Sequence, residues 1–84
     1  MEKTLAYLRE ILSNYTEYHE QTPRIIYHKL IKNAYKNEEE FVRDLSQKEI
    51  AFLDRILPNE IRYAMDEKDF ERVYQLNEVY ELLF

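Results

Sequence analysis

Two histidines, His19 and His28, flank a short Gln21-Thr22-Pro23 break, and Glu17 and Glu20 stand beside the first of them. Imidazole is the side chain whose charge changes near neutral pH, so two imidazoles with two carboxylates raise acid–base or metal chemistry. A metal centre needs three or four converging ligands, each oriented by further hydrogen bonds. The spacing here matches no metal-binding motif, and His19 falls on the apolar stripe of its own helix. It reads as a boundary residue at a helix end. Without cysteine, without a Ser/His/Asp set and without carboxylates that can be oriented as a pair, the chain offers no catalytic mechanism. No catalytic, cofactor-binding or metal-ligating residue is assigned, and the expectation is a protein that is not an enzyme. A small hydrolase or metal enzyme using His19 or His28 ranks last among the alternatives.

Charge gives a second candidate. Residues 23–36 hold Arg24, Lys29, Lys32 and Lys36 and no acid, a local +4 that leaves −9 for the rest of a chain whose net charge is −5. On a helical wheel His28, Lys29, Lys32 and Lys36 share the side opposite the apolar rows, with Ile25 among them. Such a face could dock an anion, a nucleic acid or an acidic protein. It could equally be a solvated face whose later lysines meet the negative end of the helix dipole and pair with Glu38, Glu39 and Glu40. Nucleic-acid binders show a basic excess over the whole domain, so that alternative is kept but not favoured. Eight tyrosines recur on or beside the apolar faces, where a ring adds core area and its hydroxyl reaches water or a carbonyl.

Composition limits what can position these groups. At 84 residues and 10.4 kDa, area scaling gives roughly 5,400 Å² for the folded chain against roughly 15,000 Å² unfolded. That allows one small core, read as a single helical domain over residues 1–84. Zero glycine removes the phosphate-cradling loops and dinucleotide turns that need glycine's backbone freedom, and also the Asn-Gly hairpins of all-β folds. Zero cysteine suits a reducing interior. No apolar run could span a bilayer or serve as a secretory signal, so no membrane role is expected and the cytoplasm is the default location.

Apolar residues recur every three or four positions, the helical period. A first helix over Lys3 to His19 aligns Leu5, Leu8, Leu12 and Tyr15. Thr22 can cap a second, with Pro23 in its first turn, running to Tyr35 and burying the rows Ile26, Leu30, Ala34 and Tyr27, Ile31, Tyr35. Asn37 before three glutamates starts a short helix with Phe41, Val42 and Leu45. Ser46-Gln47-Lys48-Glu49 is a capping box. It opens a long central helix with Ile50, Leu53, Leu57, Ile61 and Ala64 on one face and Phe52, Ile56 and Tyr63 widening it. Pro58 lies on that helix's polar side and should bend it without breaking it. Asp66 to Asp69 make a turn, Asp69 caps the last helix, and Phe70, Val73, Leu76, Val79, Tyr80, Leu83 and Phe84 form its stripe. The chain end is thereby packed against a neighbour.

Three stretches, TLAYLREILSN, NEEEFVRDL and IRYAMDEKDFERVYQLNEVYELLF, resemble a family of small acidic proteins of endospore-forming bacteria. These are made in the forespore under the late sporulation factor sigma G and labelled sporulation-specific small acid-soluble-type proteins. The resemblance spans nearly the full chain. It implies an all-α fold, a place in the forespore or spore core, and no established enzymatic activity. It transfers no functional residues. The label suggests DNA coating, but the glycine-containing segments of the abundant DNA-coating spore proteins are missing here.

The reading is therefore an all-α, small antiparallel bundle of four to five helices. Its expected function is a non-catalytic protein of sporulation that works through protein–protein contact or as a homodimer. Ile25, Tyr74 and Leu82 are its candidate partner surface, and no cofactor is expected. The alternative is a nucleic-acid-associated protein using His28, Lys29, Lys32 and Lys36.

Overall fold

A computed structural model describes residues 2–15 and 21–84. Five helices follow one another: α1 Glu2–Ser13, α2 Thr22–Lys32, α3 Glu38–Arg43, α4 Gln47–Asp66 and α5 Phe70–Leu82. No strand occurs among the described residues. The accessible surface, 5749 Å², lies close to the scaling value for a chain of this mass, so the helices share one interior.

Local signals start three of the helices. Asn37 Oδ1 accepts from the Glu40 amide at 2.8 Å, Asp69 Oδ1 from the Arg72 amide at 3.2 Å. At α4 the capping box is complete: Ser46 Oγ accepts from the Glu49 amide at 3.2 Å and Glu49 Oε1 accepts from the Ser46 amide at 2.9 Å. α4 runs through Pro58 without a break, and Pro58 is exposed. The proline therefore removes only a hydrogen bond that water replaces.

Elsewhere the structure corrects the sequence reading. α1 stops at Ser13, whose hydroxyl donates to the Glu10 carbonyl at 2.7 Å. The next amides, Asn14 and Tyr15, close tighter turns onto Ile11 and Leu12. Its predicted extension to His19 lies partly outside the described residues, and so do His19, Glu17 and Glu20 themselves. α2 begins at Thr22 itself, because Gln21 already has helical dihedrals and takes the cap position without a side-chain bond. Thr22 is turned inward instead. α2 ends at Lys32, where Asn33 becomes extended, so Ala34 and Tyr35 leave the helical rows. Ala34 and Ile31 end up exposed, while Tyr35 folds back into the core.

Leu8, Ile11 and Leu12 of α1, Ile26 of α2, Phe41 of α3, Leu53 and Leu57 of α4 and Leu76 and Val79 of α5 are sealed from solvent. α1 packs on α2 and α5, α4 packs on α5 and α2, and α3 packs on α5. The four longer helices thus form a ring in the order α2, α1, α5, α4, with α2 and α5 at opposite corners. α5, not the longer α4, meets the greater number of neighbours, since it also covers α3.

Candidate interaction surfaces

The basic candidates on and after α2 divide into an inward and an outward group. Lys29 Nζ donates to Glu49 Oε1 and to the Asp44 carbonyl, both at 2.7 Å. Glu49 is buried, so this ion pair is largely removed from water and fastens α2 to the start of α4. Lys29 is thereby withdrawn from any anion-binding face. His28, Lys32 and Lys36 are exposed, and the two lysines have no acidic partner among the described residues. Around α2, at 100° per residue, the outward arc holds Ile31, Arg24, His28, Lys32 and Ile25 in that order. Ile25 is 44% exposed and Ile31 55%. It is a cationic ridge with an isoleucine on either side.

The partner-surface candidates are not brought together. Ile25 sits on this arc of α2, Tyr74 sits on α5 at the opposite corner of the ring, and Leu82 is half-buried. Tyr74 has company that the sequence reading placed in the core. The buried side of α5 is centred on Leu76, Val79 and Leu83, and at 100° per residue Phe70 stands 120° or more from each of them, on the outward side. Phe70 is 65% exposed, beside Tyr74 at 62%. Glu78 and Glu81 continue the same outward side, and the Tyr74 hydroxyl bonds to Glu78, which raises its pKa. Asn77 Nδ2 donates to Glu81 at 2.7 Å. The signal for this surface was legible: Phe70, Tyr74, Asn77, Glu78 and Glu81 follow a helical period on a side that excludes Leu76 and Val79.

The chain end is divided. Leu83 is buried, but Phe84 is exposed and rests edge-on against the Tyr80 ring at 5.2 Å. Leu83 and Phe84 border a shallow groove with Gln47, Ile50, Ala51 and Asp54 of α4. Tyr63 and Met65, near the end of α4, are also exposed, although the helical period puts Tyr63 on the widened core face.

The basic residue on α5, Arg72, points away from the outward side. Its guanidinium donates to Glu10 of α1 at 2.8 Å and lies 4.9 Å from the centroid of the Tyr7 ring. The bond to Glu10, followed by the charges of Glu10 and Asp69, raises its pKa further. Nε approaches Asp69 Oδ2 at 3.5 Å, an ionic contact that leaves this buried N–H without a hydrogen-bond acceptor. Buried Thr4 donates to Gln75 at the same α1–α5 seam. These side chains join helices. Among the described residues, no three His, Cys, Asp or Glu side chains converge as metal ligands, and no helix is long and apolar enough to cross a membrane.

Comparison with known proteins agrees with the likeness seen in the three stretches. A family model described as "CsgA: Minor curli fiber component A" matches residues 1–84. The "Sigma-G-dependent sporulation-specific SASP protein" of Bacillus subtilis (strain 168) is 52% identical over 83 residues, which cover 99% of each chain. No solved structure matches. The match along the whole chain and the high identity lead to one conclusion: this all-α chain belongs to the family that the CsgA model describes and that includes the sporulation-specific B. subtilis protein.

Proposed function

We propose that the protein is a non-catalytic interaction protein of sporulation, acting in the forespore or spore core as a single 84-residue domain. The B. subtilis relative's designation supports the sporulation setting. The observation that carries the interaction role is the solvent exposure of Ile25, Ile31, Phe70, Tyr74 and Phe84 while Phe41, Phe52, Leu53 and Leu57 are buried in the interior. Large apolar groups left on a surface that also bears organised charge mark contact faces. The family model's description speaks of a fibre component. With five helices and no strand among the described residues, any assembly of this chain is read as one of folded helical units.

Tagged protein captured from sporulating cells tests this reading. Wild type should retain specific partners or further copies of itself. A variant with Ile25→Ala, Phe70→Ala and Tyr74→Ala should lose them while keeping its helical circular dichroism. Leu82 is left out because its truncation would also remove packing. Unchanged capture and unchanged mass in solution would end the proposal.

A second reading is favoured by exposed Lys32, one turn from exposed His28 on α2, with exposed Lys36 beyond the end of that helix; such groups could hold a phosphate backbone. Affinity would then fall steeply with salt. The net charge of −5 opposes it, and a flat gel-shift titration at low salt removes it.

A further inference from the structure

We propose that the outward faces of α2 and α5 are the two halves of one contact, through which copies of this chain join head to tail. The inference rests on the reading that the protein works through its helix faces and names the partner of those faces as a second copy.

The α2 face is cationic. Lys32 is exposed without an acidic partner among the described residues, Arg24 and His28 continue the ridge, and the helix carries no carboxylate. Ile25 and Ile31 give it apolar flanks at 44% and 55% exposure. The α5 face is its complement. Glu78 and Glu81 are exposed there, the helix's one cation is committed to α1, and Phe70 and Tyr74 supply the apolar contact. The helices have 11 and 13 residues, about 16 and 20 Å, so the faces match in length as well as in sign. Opposed charges steer two such surfaces together and set their register, while burial of the isoleucines against the aromatic rings supplies the attraction at short range.

The ring order decides what kind of contact this is. α2 and α5 occupy opposite corners, so their outer sides point away from each other. One copy's α2 can meet the next copy's α5 while its own α5 stays open. Such a heterologous contact does not close on itself and extends as an open chain. A nucleic acid fits less well, because the anionic α5 face and the net charge of −5 repel phosphate and the isoleucine flanks give it nothing to pair with.

Charge exchange on purified full-length protein tests the contact. In low salt the weight-average mass from light scattering and sedimentation should climb as concentration rises from micromolar to millimolar. Half-molar salt should weaken the association by roughly tenfold or more. His28→Glu with Lys32→Glu leaves Arg24 against two carboxylates on α2, so both faces carry a net negative charge, and Glu78→Lys with Glu81→Lys makes both basic. Each variant alone should stay monomeric with an unchanged helical spectrum. Mixed in equal amounts they should associate again, because each acidic face then meets a basic one. If a double variant fails to fold, Lys32→Glu and Glu81→Lys replace the pair. A wild type that stays monomeric throughout, variants that associate as wild type does, or folded variants that fail to recover on mixing would overturn the inference. Purified protein tests this contact and capture from cells tests the sporulation reading, so the two fail separately.

Discussion

The two corners that flank α4 are built from different materials. Where α3 passes into α4, polar side chains do the fastening. The Tyr35 hydroxyl donates to Asp44 Oδ2 at 2.6 Å and accepts from Asn33 at 3.0 Å, and Lys29 ties Glu49 to the Asp44 carbonyl. Where α4 packs on α5, Leu53, Leu57, Leu76 and Val79 are sealed from solvent, and in the turn between the helices the Asp69 amide reaches the Ala64 carbonyl at 2.9 Å while the Asp69 side chain caps α5. Lys68 takes the left-handed conformation there, φ 60°, that glycine ordinarily supplies. A chain without glycine must place a residue with a Cβ in that conformation. The polar corner specifies one geometry and responds to pH. The apolar corner supplies bulk stability and responds to volume.

Substitutions separate the two corners. Leu76→Ala strikes the apolar corner and should cost about 2–5 kcal/mol, the range for a buried leucine. A domain of this size holds only about 3–5 kcal/mol, so urea titration should find this variant largely unfolded at 25 °C. Glu49→Ala strikes the polar corner. It leaves the Lys29 ammonium unpaired and deletes half of the capping box. A fully buried pair would cost more, but Lys29 is a quarter exposed, so the loss should be about 1–3 kcal/mol. Glu49→Gln, which still accepts from the Ser46 amide, should recover part of it.

A smaller effect sharpens the pH distinction. Burial, then the bond to Asp44, pushes the Tyr35 phenol up to about 12. The unfolded chain ionises its tyrosines near pH 10, so between these values the unfolded state sheds the proton first. The contribution of Tyr35 is therefore fully present below pH 10 and is lost as pH rises toward 12. Tyr35→Phe should lower stability by about 1 kcal/mol at neutral pH and remove this residue's share of the alkaline decline in a urea midpoint series. If the decline in that window is as steep in the variant, the polar corner is not the pH-sensitive one. The smallest change is a gain. Lys68→Gly relieves the left-handed strain and should add about 0.5–1 kcal/mol, read as a raised thermal midpoint, whereas Lys68→Ala should leave it nearly unchanged.

The fold was legible where its determinants are local. Asn37, Ser46 with Glu49, and Asp69 each satisfy amides three residues away, so their capping roles could be read from adjacent residues alone. That α4 continues through Pro58 was legible for the same reason. Tyr35 was not. The sequence continues its helical row, but the chain leaves the helix at Asn33 so that the phenol can reach Asp44 and pack edge-on against Phe41 at 5.5 Å. Ile31 is then left facing water. Tyr63 shows the same limit: a wheel gives the direction of an apolar side chain but not how far its neighbours extend. Of the candidate surfaces, the cationic ridge was readable from composition, whereas the inward turn of Lys29 depends on Glu49, twenty positions further along the chain.

By itself the sequence determined that this protein is helical, where most of its helices begin, and which residues could fill an interior. Period, caps and proline position act within a few residues, and their energies do not depend on what lies across the molecule. Only the tertiary structure decided which side of each helix stays wet. That depends on which helices become neighbours and on how far they reach, and it is why the cations of α2 and the aromatic, acidic side of α5 emerge at opposite corners of the ring.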